Sequence, residues 1–455
     1  MNIYNLIKLL ILEYLFILSE NKVVFVFEYF RHGARSPSDL FENDVDLFQE
    51  KWNGLQELTN VGLRQHYLLG NHIRNKYPDL INYEKYNPKE LEVFSSMTNR
   101  TIMSARAQTY GLFDTIKSAK IKEKQKNTSI PYYLLNEIDQ YNINSSIYPD
   151  FYPEEIPIHI IDYKEKLFQL EKNDVCPAIK EIRKENQKKK EITEFIQKFN
   201  DTFGEELLNI YNITDNKDFF MDIDNVNDLC IGIIIAKFDD RKLEFLKDKI
   251  DLQALHQMSK EYFNLKVTLV YAQDEKGLLG IIGSSILIRK ILSYMERVID
   301  DKKKNLNDYP KLLLLSSHDT AISSLEDLLL NLFNIEVLPP SYSSSYIFEL
   351  NEENNEYSVN IVFNNEILKN IKYNDFKNKI EKDSWTYEQT GKYCGFIKEK
   401  TSSFRKSKNN NNKKWLIITI IFSLLNSVMI IIIMLIFIKF KKPRYIESSN
   451  SLEKY

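Results

Sequence analysis

Arg31-His32-Gly33-Ala34-Arg35-Ser36-Pro37 places one imidazole between two guanidiniums, directly after the apolar run Val23 to Phe30. A guanidinium is a planar fork of N–H donors that matches phosphate oxygens, so Arg31 and Arg35 would gather a phosphoryl group within reach of the His32 ring. Six specified residues recur by accident in a chain of this length very roughly once in 10⁵, ignoring composition, so chance is a weak reading. A second pair, His318-Asp319, ends the run Lys311 to Ser317. His318 suits a further phosphate contact. Asp319 suits a proton donor to the departing alkoxide, a role that works best while the carboxyl is protonated, so activity favoured by acid is expected. Taken alone, His318-Asp319 reads rather as a helix start, with Asp319 capping Thr320-Ala321-Ile322. Beside the first cluster, the chemical reading prevails.

Such groups act together only if the backbone brings them together. Val23 to Phe30 and Lys311 to Ser317 read as buried strands of a parallel α/β sheet, and ligands bind outside the carboxyl ends of such strands, so the two motifs converge on one crevice. Gly33 allows the backbone a close approach to the ligand. Pro37 disfavours helix at Ser36, which makes 31–37 a strand-end loop. Leu91 to Ser96 repeats the shape of strand, polar turn and helix, with Arg100 at the turn. Leu278 to Ile299 reads as an amphipathic helix covering the sheet, whereas about 120–262 has helical periodicity and polar loops and separates early strands from late ones, as an inserted lobe would.

The Arg-His-Gly-x-Arg-x-Pro segment resembles the signature of the histidine phosphatase superfamily, and Asp319 after the second histidine resembles its acid phosphatase branch rather than the mutase-like one. The resemblance implies that His32 is the nucleophile, Asp319 the proton donor, and Arg31, Arg35, Arg100 and His318 the phosphate cage. It departs from the family at Ser95, where an arginine is usual, and at Met97 to Asn99, where acidic residues are usual, so substrate preference is expected to differ. Further likeness lies in Trp52-Asn53-Gly54-Leu55, Leu58 to Gly62, Gln65 to Gly70, Ile156 to His159 and Leu338-Pro339-Pro340, and it runs over roughly 23–395. The implied fold is α/β, with a mostly parallel central sheet flanked by helices (21–120 and 263–400) and an inserted, mainly helical cap (about 120–262). No cofactor and no metal is implied. The same resemblance pairs Cys176 with Cys394 and leaves Cys230 a free thiol, although an odd cysteine also stays open to pairing between chains.

The other histidines carry less. His66 and His72, six apart on one helix, lie on different faces and do not make a metal pair. His256 reads as a surface or packing residue; His159 reads either as structural or as lining the pocket. With 455 residues, 43% of them hydrophobic, and a net charge of −3, the chain can bury a two-lobed core and offers no basic field for nucleic acid.

The termini point to a membrane. Residues 415–438 are apolar and uncharged, long enough as a helix to span a bilayer, with a core helix as the competing reading. They follow a polar linker (401–414) and precede a tail (439–455). Residues 1–20 resemble a secretory signal peptide, although Lys8 and Glu13 interrupt the apolar stretch and an amphipathic helix competes. The expected topology is type I, with the catalytic domain lumenal or extracellular, in a lysosome-like compartment or at the cell surface. Sequons at Asn127, Asn144, Asn200 and Asn212 agree with it; Asn99 also matches one but lies beside Arg100 and is expected to stay unmodified.

The sequence thus leads to a membrane-anchored acid phosphatase acting on small-molecule or protein phosphomonoesters, with a homodimer admissible. Competing readings are a narrower enzyme for inositol phosphates or lysophosphatidate, and a non-catalytic phospholigand-binding ectodomain. Retention of both His32 and Asp319 argues against the last.

Overall fold

The strand β1 (Lys22–Arg31) is buried along nearly its whole length because it lies in the middle of the sheet, with apolar side chains leaving both faces. The computed structural model describes residues 22–38, 54–113, 156–161, 176–238, 243, 246 and 249–397, apart from 275 and 307. The expected signal peptide, linker, transmembrane helix and tail, together with Asn127 and Asn144, lie outside these residues. Among those described, the strands are β1, β2 (Leu91–Ser96), β3 (His159–Ile161), β4 (Leu312–Ser317), β5 (Ser345–Glu353), β6 (Glu356–Phe363) and β7 (Glu366–Lys372). They form one sheet in the order β3-β2-β4-β1-β5-β6-β7.

The helices are α1 (Asn60–Lys76), α2 (Asn99–Leu112), α3 (Pro177–Asn186), α4 (Lys190–Phe199), α5 (Glu205–Ile210), α6 (Ile223–Phe238), α7 (Leu252–Leu265), α8 (Leu278–Lys303), α9 (Asp319–Phe333), α10 (Tyr373–Asp383) and α11 (Tyr387–Tyr393). Strand alternation sorts the core. Phe25, Phe27 and Tyr29, with Leu313 and Leu315, pack on Leu287, Ile291 and Met295 of α8 and Ile322 and Leu325 of α9. Val26 and Phe30, with Leu312 and Leu314, pack against Ile73 of α1 and Ala105 and Leu112 of α2. Helix α8 is apolar and long enough to cross a membrane, but 67% of its most apolar window is buried, which marks it as the core helix the periodicity predicts.

The expectation of a mostly parallel sheet holds for one half only. β3, β2, β4 and β1 pair in parallel, whereas β1/β5, β5/β6 and β6/β7 are antiparallel. For β5/β6 and β6/β7 the cause is local: Asn354-Asn355 and Asn364-Asn365 all have positive φ, between 44° and 76°, the geometry of tight two-residue hairpins that asparagine tolerates.

Residues of α4 to α7 bury a separate cluster, with Phe195, Phe199, Leu229, Leu255 and Tyr262 at its centre. Cys230 sits inside it as a free buried thiol, which burial pushes up to about 12. Cys176 and Cys394 form a disulfide with Cα atoms 4.7 Å apart across a sequence separation of 218. In the chain-entropy account, a closure of that length stabilises by up to about 5 kcal/mol.

Several carboxyls are buried as acids. Glu28, at the centre of β1, accepts from Gln108 Nε2 at 2.5 Å, and burial pushes it up to about 8; burial also pushes Asp327 up to about 7 and Glu326 well above its ordinary value. Their stabilisation is complete below the ordinary carboxyl range and is lost as pH rises through these values. Buried His66 works oppositely, since burial lowers it from 6.5 to about 4, so it destabilises on acidification through that interval. From pH 6.5 to 8 the carboxyls dominate, and the thermal midpoint should fall; each proton contributes up to about 1.4 kcal/mol per pH unit. Glu28→Gln, the neutral isostere, should flatten that slope in melts recorded across the interval, and an unchanged slope would refute the assignment.

Candidate active site

Three neighbouring parallel strands, β2, β4 and β1, end on the same edge, and each delivers one part of the predicted cluster. His32 follows β1, where its N–H continues the ladder to the Ser317 carbonyl at 3.0 Å. His318 follows β4 as the N-cap of α9, and Asp319 opens that helix. Arg100 stands in the first turn of α2, after β2. The predicted Arg31, His32, Arg35, Arg100, His318 and Asp319 therefore meet at one site.

The loop after β1 is held against α1. A Cβ on Gly33 would come within 2.5 Å of the Gly62 carbonyl oxygen, and one on Gly62 within 2.2 Å of the Ala34 oxygen, so two glycines permit one backbone contact. The close approach expected of Gly33 toward a ligand is thus, in this structure, an approach to Gly62. The Gly33 N–H donates to Ser104 Oγ at 3.1 Å, Ala34 N–H to Gln65 Oε1 at 2.9 Å, and Thr59 caps α1 while bonding Ala34.

These contacts fix the His32 tautomer. Nδ1 lies 2.8 Å from the Gly33 carbonyl, which can only accept, so Nδ1 carries the hydrogen and Nε2 keeps its lone pair. Burial, then Arg31, His318, Arg100 and Arg35, hold the imidazole well below its ordinary range. The ring stays neutral, and nucleophilic, in mild acid.

Arg31 is buried and saturated on one side: Nη1 donates to the Pro340 carbonyl at 2.9 Å and Nη2 to Asp319 Oδ2 at 2.7 Å, with Tyr342 and Phe263 rings 4.3 and 5.1 Å from its guanidinium carbon. Among the described residues, the buried Nε of Arg31 and that of Arg35 have no hydrogen-bond partner. Unmet buried donors on two guanidiniums suit an oxyanion. Arg100 donates from Nη2 toward His318 Nδ1 at 3.3 Å; since arginine cannot accept, His318 Nδ1 accepts and its Nε2 donates to Ser96 Oγ at 3.0 Å. The His32 and His318 rings stand edge to face with centroids 5.6 Å apart.

Asp319 begins α9, but the expected Asp319 cap is corrected: the extended backbone at His318 makes that residue the N-cap, without a side-chain cap bond, and Asp319 is already helical. Its Oδ1 accepts from the adjacent Thr320 N–H at 2.8 Å, while Oδ2 pairs with Arg31. Burial pushes the carboxyl up, but Arg31, Arg35 and His318 outweigh it and hold the free site's Asp319 well below the usual carboxylate range. A cavity of about 200 Å³ opens beside it, walled by Arg31, Arg35 and Asp319 on one side and by Ile231, Phe263 and Lys266 on the other. Among the described residues, no group of three or more His, Cys, Asp or Glu could hold a metal ion.

The remaining predicted residues sort simply. Asn200 is partly exposed and Asn212 exposed, His72 is exposed, and His159 is exposed on edge strand β3, its ring 5.6 Å from that of Phe94. His66 has a role sequence reasoning missed: fully buried behind Phe30, it contacts Gln108 Oε1 at 3.2 Å and Ser343 Oγ at 3.2 Å, and the Ser343 N–H reaches the His32 carbonyl at 3.3 Å. No local signal marked it, since the contacts that define its place join residues 42 and 277 apart.

Comparison with known proteins agrees with this geometry. The family description "Histidine phosphatase superfamily (branch 2)" matches residues 22–364. Bovine prostatic acid phosphatase is 28% identical over 345 residues, 75% of this chain and 77% of its own. Rat lysosomal acid phosphatase is 28% identical over 355 residues, 76% of this chain and 71% of its own. The phytase from Citrobacter braakii shares the fold with a TM-score of 0.51 at 14% identity, over 80% of this chain and 98% of that one. With residues 22–364 matched and the two histidines brought together at the strand ends, this chain belongs to the histidine phosphatase superfamily, branch 2.

Proposed function

We propose that this chain is an acid phosphatase that hydrolyses phosphate monoesters through a phosphohistidine on His32. The observation that carries the reading is the neutral His32, its Nε2 lone pair available and its ring within the field of Arg31, Arg35, Arg100 and His318. The guanidiniums receive the phosphoryl oxygens and stabilise the charge that spreads over them in the transition state. Nε2 attacks phosphorus, the P–N bond forms as the ester P–O bond breaks, and the Asp319 proton goes to the leaving alkoxide. Water then attacks the phosphohistidine, Asp319 takes its proton, and the P–N bond breaks to release phosphate. Substrate must first undo the Arg31–Asp319 pair. A phosphate dianion draws Arg31 away and adds negative charge beside the carboxyl, and both effects favour its protonation.

The domain is proposed to face a lumenal or extracellular space, anchored by residues 415–438, with about 120–262 as the cap. The Cys176–Cys394 disulfide supports an oxidising compartment, and the separate apolar cluster of α4 to α7 supports a distinct lobe.

The test is to trap the intermediate. Brief reaction with a ³²P-labelled monoester at mildly acid pH, quenched in alkali, should leave label on the peptide containing His32, stable to base and lost in acid. Turnover without label on that peptide would sink the covalent route.

A further inference from the structure

The peptide that joins the nucleophile to Gly33 is held at both ends. The His32 carbonyl accepts from the Ser343 N–H at 3.3 Å, and the Gly33 N–H donates to Ser104 Oγ at 3.1 Å. The tilt of that peptide plane sets where the Gly33 carbonyl stands, and that carbonyl holds Nδ1 of the His32 ring. The direction of the Nε2 lone pair therefore depends on Ser343. Ser343 is itself out of the ordinary: its φ of 60° lies in the left-handed region, which a serine rarely enters and keeps only where surrounding contacts impose it.

Its hydroxyl is pinned by a buried chain. Gln108 Nε2 donates to Glu28, so its Oε1 is the acceptor, and Nδ1 of His66, 3.2 Å away, carries the hydrogen. Nε2 of His66 then accepts from the Ser343 hydroxyl at 3.2 Å, with Gln65 Oε1 a longer alternative at 3.4 Å. The chain leaves β1 at Glu28, crosses α2 and α1, and returns to the end of β1 at the His32 carbonyl. Glu28, His66 and Gln108 are all fully buried. Polar groups so deeply buried cost stability unless their partners are in place, so a chain of them specifies one geometry.

We propose that His66 is a positioning residue for the reaction: through the Ser343 hydroxyl it holds the 32–33 peptide so that His32 Nε2 faces the phosphorus in line. The inference rests on the phosphatase reading above. His66 acts through Ser343 and not on the phosphate, since neither residue walls the cavity beside Asp319. The guanidiniums keep their own supports, Arg31 on the Pro340 carbonyl and Asp319, Arg100 on His318. Loss of His66 should thus spare phosphate binding and slow the chemical step. A misplacement of about 1 Å at a reacting atom can cost on the order of 10²-fold in rate.

The test uses the full chain, with steady-state kinetics on p-nitrophenyl phosphate and inhibition by inorganic phosphate. In Ser343→Ala and in His66→Leu, kcat should fall about tenfold or more while the inhibition constant of phosphate stays within about threefold of wild type. His66→Gln should restore kcat to within about threefold, because its amide oxygen can accept from Ser343 where Nε2 did. The double variant His66→Leu/Ser343→Ala should lose no more than the worse single one, since both break the same chain. A purely structural role gives a different pattern: kcat, phosphate affinity and thermal midpoint fall together, Gln gives no rescue and the two losses multiply. That pattern, or kcat within about twofold of wild type in both single variants, overturns the proposal. Where His66→Leu does not fold, Ser343→Ala decides, since that side chain is only partly buried. Wild-type protein without turnover on any monoester defeats the phosphatase reading instead. Positioning is then read by NMR of protein labelled with ¹⁵N-histidine, which carries six histidines in all. The His32 ring signals should move in Ser343→Ala; signals coincident with those of wild type refute the proposal.

Discussion

His32→Ala should lower kcat on p-nitrophenyl phosphate by at least about 10⁴-fold, more than 5 kcal/mol of transition-state stabilisation. The loss is large because no other group at the site can take over. His318 has both ring nitrogens engaged, with Arg100 and Ser96, and Asp319 is tied to Arg31 and the Thr320 N–H. The guanidiniums remain, so inorganic phosphate should still bind within a few-fold of wild type, which separates a missing nucleophile from a collapsed site. Stopped assays across pH 4 to 7, with phosphate affinity measured beside them, decide the matter. Activity within tenfold of wild type would assign the nucleophile elsewhere.

Asp319→Asn tests the acid. For alkyl phosphates, whose alkoxide must be protonated as it leaves, kcat should fall about 10³-fold; for p-nitrophenyl phosphate, whose phenolate leaves unaided, the loss should be tenfold or less. The ion pair adds a consequence in pH. In the free site, Arg31, Arg35 and His318 outweigh burial and keep Asp319 ionised, whereas a bound dianion favours its protonation, so binding takes up a proton. Affinity for a phosphate analogue should therefore rise as pH falls, and Asp319→Asn should remove that slope. Equal losses for both leaving groups, with the slope retained, would exclude Asp319 as the donor.

What the sequence made legible follows the range of the interactions. Arg31, His32 and Arg35 lie within five residues of one another behind an unbroken apolar strand, so both their chemistry and their placement could be read locally. His318-Asp319 was legible for the same reason, and the strand-end rule for parallel sheets joined the two. The supports were not. Gln65, Ser104 and Ser343 reach the His32 loop from α1, α2 and the segment before β5, contacts that span 31, 71 and 311 residues and leave no local pattern. Glu28 was hidden because one carboxyl inside Val23 to Phe30 does not disturb the apolar periodicity. The antiparallel half was a different kind of miss: the paired asparagines at 354–355 and 364–365 carry the hairpin signal in plain view, but an α/β reading weighted the strands near the motifs.

The Cys176–Cys394 bond has a consequence for survival among proteases. A single cut anywhere between those cysteines would place His32 on one fragment and, for any cut before 318, His318 and Asp319 on the other. The sulfur bridge keeps both fragments in one covalent molecule, and the β1–β4 ladder keeps the two histidines in register across the nick. Such a protein would run as one species without reductant and as two with it, and in a compartment crowded with hydrolases it would carry a severed backbone while its catalytic halves stay together.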